Sequence, residues 1–156
     1  MAAKVAIGLG GNIGDVPRRF EEACARLQMF LEQLTMAPLF YTKPVDCVPG
    51  TPDFCNSAVT GLFDGTPLEL LAICQKLERE FGRPAEHSSR ESRTLDLDIL
   101  LFGEAVVALP NLVVPHPRLL QRRFALEPLA AIAGDWLIPP KMQTVADCLC
   151  AVTSSN

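Results

Sequence analysis

Several features that mark specialised proteins are missing from this sequence. No apolar run approaches the roughly 20 residues that a membrane-spanning helix needs, and no internal repeat or low-complexity segment is visible. The N-terminus lacks an apolar segment of signal-peptide length with a cleavage site after it, so we expect a cytoplasmic protein. The six cysteines form no CxxC pair, and without an export signal we expect them to be reduced. The formal net charge of −4 gives no bulk attraction to nucleic acid or to an anionic membrane.

The length and the local patterns predict a single α+β domain over residues 1–156. Glycine turns, helix caps and apolar periodicity give the order β-α-β-β-α-β, with additions at the C-terminal end. This order matches a ferredoxin-like fold, in which helices cover one face of a mainly antiparallel sheet. The predicted strands are 4–9, 34–41, 54–63 and the run that starts near residue 95, and the predicted helices follow Asp15 and Thr66.

Three details of this prediction are specific. Helical spacing extends the buried face of the first helix as far as Leu31. Pro128 is expected to interrupt a helix over residues 119–133, because proline lacks the backbone N–H. Strict alternation along the run that ends at Gly103 places Leu95, Leu97, Ile99 and Leu101 on the face opposite two aspartates.

Those aspartates, Asp96 and Asp98, lie two positions apart and therefore share one face of the predicted strand. Two carboxylates this close repel each other unless a cation lies between them. Mg²⁺ is commonly held by one or two carboxylates together with substrate phosphates. A half-exposed strand with a polar outer face is the other open interpretation.

Arginines are concentrated in sequence around the aspartate pair. Guanidinium groups and a metal ion together neutralise the oxygens of a polyphosphate, so the pattern indicates a polyphosphate site, although each arginine alone is typical of a solvated surface. His116, held between two prolines, has two open roles, as a donor to phosphate or in a structural hydrogen bond. The arginines are Arg83, Arg90, Arg93, Arg118, Arg122 and Arg123.

A glycine turn and an amide offer two further candidates. The turn at 8–14 could present backbone N–H groups to a phosphate, as in a dinucleotide-dependent oxidoreductase. However, Ile13 stands where the dinucleotide fingerprint requires glycine, and the Walker pattern is absent. Asn56 alternates with Phe54 on one strand face, and an amide beside an aromatic ring can bind the edge of a flat heterocycle. Core packing is the alternative role for Phe54 and Phe124.

Together these segments resemble the 6-hydroxymethyl-7,8-dihydropterin pyrophosphokinase family of folate biosynthesis. Residues 93–98, Arg-Thr-Leu-Asp-Leu-Asp, resemble the family signature R-[TP]-[LI]-D-[LIV]-D. Residues 9–15 resemble its L-G-S-N-L-G-D segment, with Gly11 in place of serine. Residues 42–45, 52–56, 114–116 and 122–129 resemble its T-x-P-[VL], P-x-[FY]-x-N, V-P-H and R-x-F-x-L-x-P-L segments, in order over nearly the whole chain.

The resemblance implies transfer of a pyrophosphoryl group from ATP to the hydroxymethyl pterin, with release of AMP. It also implies two Mg²⁺ ions held by Asp96 and Asp98. We expect a monomer that acts on these small molecules, and the charge and the apolar runs predict no nucleic-acid or membrane partner. The implied catalytic residues are Arg83, Arg93, Asp96 and Asp98. The implied ATP-binding residues are Gln75, Glu78, Arg93, His116 and Arg122. The implied pterin-binding residues are Thr42, Pro44, Val45, Phe54, Asn56 and Phe124.

The segment 83–92 departs from the family pattern. Its polar and small residues predict a mobile loop. Ser-Arg-Glu-Ser at 89–92 replaces the Arg-Trp-Gly-Pro that many members carry, so Arg90 stands where the family has a tryptophan that can close over the substrates. A non-catalytic relative that binds pterin or nucleotide is therefore kept as the alternative function.

Overall fold

The fold, taken from a computed structural model, is described for residues 2–43, 50, 53–82 and 95–154. Its main sheet has the strand order β2-β4-β1-β5, and all the described pairings in it are antiparallel. A short strand, β3, also pairs with β4, at the N-terminal end of β4 and before the part that pairs with β2. The strands are β1 (Ala3–Gly11), β2 (Leu31–Met36), β3 (Phe40–Thr42), β4 (Phe54–Phe63) and β5 (Asp96–Phe102). This order confirms the predicted ferredoxin-like α+β fold, and the antiparallel pairing does not support the oxidoreductase hypothesis.

Four helices and two hairpins complete the described structure. Helix α1 (Val16–Leu27) links β1 to β2, and α2 (Pro67–Glu80) links β4 to β5. After β5 come the hairpin of β6 (Val107–Leu109) and β7 (Leu112–Val114), a 3-10 helix (Leu119–Gln121) and α3 (Arg123–Ala133). The hairpin of β8 (Leu137–Ile138) and β9 (Gln143–Thr144) then leads to α4 (Val145–Ser154). No helix of the described residues is long and apolar enough to cross a membrane.

The helix starts follow the predicted caps. The Asp15 carboxylate accepts a hydrogen bond from the Arg18 N–H at 3.3 Å, and proline follows within the first turn of α1. At α2 the Thr66 hydroxyl accepts from the Glu69 N–H at 3.2 Å, while the Glu69 carboxylate accepts from the Thr66 N–H at 2.8 Å. These bonds satisfy N–H groups that have no partner inside a helix. The predicted capping box is therefore confirmed.

The sheet has a hydrophobic core on each face. One core combines alternate residues of β1, such as Val5, Ile7 and Leu9, with the apolar faces of α1 and α2. The other combines Ala6 and Ala58 with α3 and α4. The C-terminal additions thus cover the second face of the sheet, whereas the prediction had placed helices on one face only.

A β-bulge changes the alternation along β5. Ile7 pairs with Ile99 and Ala6 with Leu101, so Leu100 is an extra residue without a partner on β1. As a result Leu100 and Leu101 both belong to the core under α3 and α4. The prediction for Leu95, Leu97 and Ile99 is confirmed, and that for Leu101 is wrong because the bulge turns it to the other face.

Three predicted boundaries are also corrected. Helix α1 ends at Leu27, because turn hydrogen bonds from Met29 and Phe30 to Arg26 and Leu27 close it, and the buried Leu31 already starts β2. The predicted strand over 34–41 is divided into β2 and β3. Pro128 is buried within α3 without interrupting it. Its missing N–H would have bonded the carbonyl of Phe124, an exposed residue of the first turn, which water can reach.

Candidate active site

Three neighbouring strands bring one row of distant residues together. Asn56 on β4 is the cross-strand partner of Gly10 on β1, and Gly10 is the partner of Asp96 on β5. Two residues away on each strand, Asp98 and Ala58 lie opposite Gly8, and all three share their face of the sheet with Ala6. The row therefore continues the sheet face that α3 and α4 cover farther along, at the end where Asp96 and Asp98 are only half-buried.

The Asn56 side chain is tethered but has capacity for another ligand. It is 5% exposed, and its Nδ2 donates a hydrogen bond to the Thr42 hydroxyl at 3.0 Å. Within the described part of the chain this is its one recorded hydrogen bond. A buried amide has two donors and an acceptor, and buried polar atoms are normally satisfied. The oxygen Oδ1, which lies toward Gly10, is thus available to a bound group.

Two aromatic residues belong to the elements that carry or pack against the amide strand. Phe54 is half-buried, pairs with Thr42 across β4 and β3, and shares the face of Asn56. Phe124 starts α3, which packs against both β3 and β4, and its ring is 40% exposed. The Arg122 guanidinium lies over this ring at 5.3 Å from the centroid, so a cationic group adjoins the aromatic one.

A charged cluster surrounds Asp98. Burial lowers the pKa of His116, the Asp98 carboxylate acts against this shift, and the Arg122 and Arg118 guanidinium groups add to it. Burial also lowers the pKa of Arg122, again opposed by Asp98. These mutual effects show that the carboxylate, the imidazole and the guanidinium groups are close enough to interact through space.

His116 is fixed by its neighbours on both sides. Its backbone N–H donates to the Leu100 carbonyl at 3.1 Å, and this bond anchors His116 to β5. Its Nδ1 accepts from the Arg118 N–H at 3.2 Å. A neutral imidazole whose Nδ1 is an acceptor carries its proton on Nε2. His116 therefore has an N–H group suited to an anionic oxygen.

Glu78 has a contact that sequence reasoning missed. Its Oε2 accepts a hydrogen bond of 2.8 Å from the N–H of Leu97, the residue between the two aspartates. Because β5 is an edge strand, this N–H has no partner strand, and α2 supplies the acceptor. Gln75, nearly one turn earlier on α2, is exposed. Sequence periodicity gives no signal for a bond between a side chain and a distant backbone group.

The donor set at the aspartates suits a hard cation. Asp96 and Asp98 offer carboxylate oxygens on one strand face, and Mg²⁺ prefers such oxygens with phosphate oxygens completing its shell. Within the described ranges no cluster of three or more histidine, cysteine, aspartate or glutamate residues could hold a metal by itself. The residues therefore fit a cation that is shared with a substrate, rather than a closed structural metal site.

A family comparison agrees with this geometry. Residues 6–134 match the profile of 7,8-dihydro-6-hydroxymethylpterin-pyrophosphokinase (HPPK). The chain belongs to the HPPK family.

Relatives from several organisms resemble the chain over most of its length. A 2-amino-4-hydroxy-6-hydroxymethyldihydropteridine pyrophosphokinase of Synechocystis is 35% identical over 141 residues, which are 89% of this chain and 71% of the relative. The Bacillus subtilis protein of the same name is 38% identical over 128 residues, 81% of this chain and 75% of that protein. A folate synthesis bifunctional protein of Arabidopsis thaliana is 36% identical over 84% of this chain. The chain matches only 27% of the length of that plant relative.

Solved structures support the HPPK fold. A crystal structure of Plasmodium falciparum HPPK-DHPS with pteroate has a TM-score of 0.73, covering 99% of this chain and 44% of that one. A second one, described as a complex of HPPK-DHPS with substrates, has a TM-score of 0.76 over 99% and 44%. The sequence identities are 13% and 12%, so this likeness concerns the fold alone.

The HPPK site predicted from sequence is described only in part. Thr42 and Asn56 lie on the paired strands β3 and β4, Asp96 and Asp98 lie on β5 across β1 from them, and Arg122 contacts Phe124. Arg83, Arg93, Pro44 and Val45 lie outside the described residues, as does the 83–92 loop, so their roles stay predictions. Gly10 was predicted to lie in a glycine turn after a strand over 4–9, whereas β1 continues through it to Gly11 and gives it strand neighbours on both sides.

Proposed function

We propose that this protein transfers the pyrophosphoryl group of ATP to the hydroxymethyl group of 6-hydroxymethyl-7,8-dihydropterin. The hydroxyl oxygen bonds to the β-phosphorus, the bond from that phosphorus to the AMP oxygen breaks, and the hydroxyl proton is released to water. The products are AMP and the pterin diphosphate. The observation that carries the proposal is the row of Asn56, Gly10 and Asp96, in which an amide for a heterocycle and a carboxylate for a cation lie side by side in an HPPK-family chain.

In this proposal the pterin edge binds the Asn56 amide, and Phe54 and Phe124 flank the ring. Buried polar partners of this kind give both orientation and discrimination, because they are left unpaired when the wrong ring binds. Thr42 holds the amide in position through its hydroxyl. Pro44 and Val45 are proposed to complete the pocket.

The phosphates are proposed to bind beside the aspartates. Asp96 and Asp98 would hold two Mg²⁺ ions, which supply charge neutralisation for the phosphate oxygens when bound. His116, with its Nε2–H, and Arg122 donate to the same oxygens, together with Arg93 and Gln75. Because charge develops on these oxygens during transfer, fixed donors stabilise the transition state more than the ground state. Arg83 is proposed to aid the chemical step.

The chain needs no covalent nucleophile for this reaction. Burial raises the pKa of the Cys74 thiol to about 12, and the charges of Glu78 and Asp98 act in the same direction. This thiol therefore stays protonated and unreactive near neutral pH. Direct in-line transfer between two positioned substrates is the mechanism that fits.

The proposal also concerns the state of the protein. We propose that one domain acts as a monomer in the cytoplasm, on small-molecule substrates and without nucleic acid. Sedimentation of the purified protein tests the monomer, and a dimer at the concentrations used for turnover would contradict it.

Incubation with ATP, Mg²⁺ and the hydroxymethyl dihydropterin tests the function. We expect AMP and a pterin diphosphate in equal amounts, and chromatography and phosphorus NMR measure both products. Release of ADP instead of AMP would contradict pyrophosphoryl transfer. Binding of both ligands without products would favour the non-catalytic relative. A variant with asparagine at both aspartate positions, Asp96→Asn with Asp98→Asn, is the matched control for contaminating kinases.

A further inference from the structure

Gly10 lies in the middle of a three-strand row, where glycine is unfavourable. A glycine inside a strand is less stable than alanine by about 0.5–1 kcal/mol, and it often marks a place where another group approaches the backbone closely. The backbone does not require glycine here. The described glycines with positive φ are Gly14, Gly50, Gly82 and Gly103, and Gly10 is not among them.

Packing against the protein does not require glycine at position 10 either. A Cβ placed there would lie 3.6 Å from Asn56 Oδ1 and 3.8 Å from the Cβ of Asp96, which are ordinary van der Waals distances. Gly8, two residues earlier on the same face, has a different neighbour. Its Cβ would also be at an ordinary contact distance, 3.4 Å, but from the apolar side chain of Leu100, so the protein itself lies above Gly8.

The space above Gly10 is bounded by groups that suit a ligand. On one side is the buried Asn56 amide, whose oxygen lies toward this space, and on the other is Asp96. The strand register fixes both neighbours, so the width of the gap does not depend on a loop. A flat heterocycle that reaches the Asn56 amide while its substituent extends toward Asp96 must pass over the Gly10 backbone.

We infer that Gly10 is the floor of the heterocycle pocket, and that its missing side chain admits the ring to hydrogen-bonding distance of Asn56. The inference rests on the proposed function, and it adds a residue that determines shape specificity. A methyl group at position 10 would occupy the volume of the ring edge and hold the heterocycle away from Asn56. Nucleotide binding would be affected much less, since the phosphate donors His116 and Arg122 lie on other segments and the Asp96 carboxylate is kept.

The test is Gly10→Ala, with three measurements on the same protein. The dissociation constants of the hydroxymethyl dihydropterin and of a non-hydrolysable ATP analogue are measured by calorimetry, and the melting temperature by circular dichroism. We expect pterin affinity to fall by about tenfold to a hundredfold, the range that one methyl group causes in a tight pocket. Affinity for the ATP analogue should fall much less than pterin affinity, and the melting temperature should stay equal or rise, since alanine is the better strand residue.

A fall in stability separates a structural role from the proposed one. Gly8→Ala is the matched control, because it adds the same methyl group to the same strand face but places it against Leu100. It should leave pterin affinity unchanged, and its melting temperature should stay equal or rise as in Gly10→Ala. Unchanged pterin affinity in Gly10→Ala, an equal loss of pterin affinity in Gly8→Ala, or a lowered melting temperature in Gly10→Ala would overturn the inference. If the wild-type protein itself failed to bind pterin, the proposed function would fail instead.

Discussion

Replacing Asn56 by alanine should affect ligand binding much more than folding. The buried amide makes one hydrogen bond to Thr42, and the loss of such a bond costs about 0.5–1.5 kcal/mol. The replacement also removes a buried oxygen without a recorded partner in the described chain, whose burial costs about 1–3 kcal/mol. Because these effects oppose each other, we expect the free energy of unfolding to change by less than about 1 kcal/mol.

The effect on pterin binding has no such compensation. A heterocycle edge that loses its amide partner leaves its own polar groups unpaired, which costs about 1–3 kcal/mol. This corresponds to an affinity reduced by about fivefold to 150-fold. Affinity for an ATP analogue should not change, since Asn56 contacts neither His116 nor Arg122 among the recorded hydrogen bonds.

Calorimetry with each ligand and urea unfolding provide the assay. Thr42→Val is the matched variant, because it removes the hydroxyl that orients the amide but leaves the amide itself. It should weaken pterin binding less than Asn56→Ala, and the double variant should bind no worse than Asn56→Ala alone. A loss of unfolding free energy above about 3 kcal/mol with unchanged pterin affinity would refute the reasoning and give Asn56 a structural role.

Three further predictions concern the aspartates and their neighbours. Asp96→Ala or Asp98→Ala should nearly abolish turnover while leaving the fold intact, because each variant loses a proposed metal ligand; wild-type activity at ordinary Mg²⁺ would disprove the metal assignment. Glu78→Gln keeps an acceptor for the Leu97 N–H and should keep kcat. Glu78→Ala removes the acceptor and should lower kcat more than it raises KM for ATP. An equal rise of the KM for ATP in both variants would indicate that Glu78 contacts ATP directly instead. The pKa of folded His116 lies below the ordinary 6.5 of the unfolded chain. As the pH falls below 6.5, the unfolded chain therefore binds a proton at His116 before the folded protein does, and the free energy of unfolding decreases. In metal-free protein, His116→Gln should reduce that decrease between about pH 7.5 and 5, and an NMR titration with a pKa above 6.5 would contradict the prediction.

Features that depend on neighbouring residues in sequence could be predicted. The bounds of β4, the Asp15 cap and the Thr66 capping box all follow from short local patterns, and the structure confirms them. The common face of Asp96 and Asp98 likewise needs only the alternation of a strand. The fold followed because the order of such elements is characteristic of a small number of topologies.

Features that depend on the pairing of distant strands could not be predicted in this way. The row of Asn56, Gly10 and Asp96 exists because β1 lies between β4 and β5, an arrangement that no local pattern contains. The same is true of the Glu78 bond to Leu97, which joins a helix to an edge strand. Family resemblance assigned Glu78 to ATP, and only the described contact links it to the backbone between the aspartates.

The bulge at Leu100 makes β5 sensitive to changes in length. Because of this one inserted residue, the first half of the strand directs Asp96 and Asp98 toward the pocket, while Leu101 faces the helices added after it. Deleting a residue there would turn each side chain of the following segment to the opposite face of the sheet, although no side chain had been altered chemically. During divergence of such chains, substitutions in β5 can accumulate gradually, whereas insertions and deletions between Asp98 and Gly103 would have to be compensated at once.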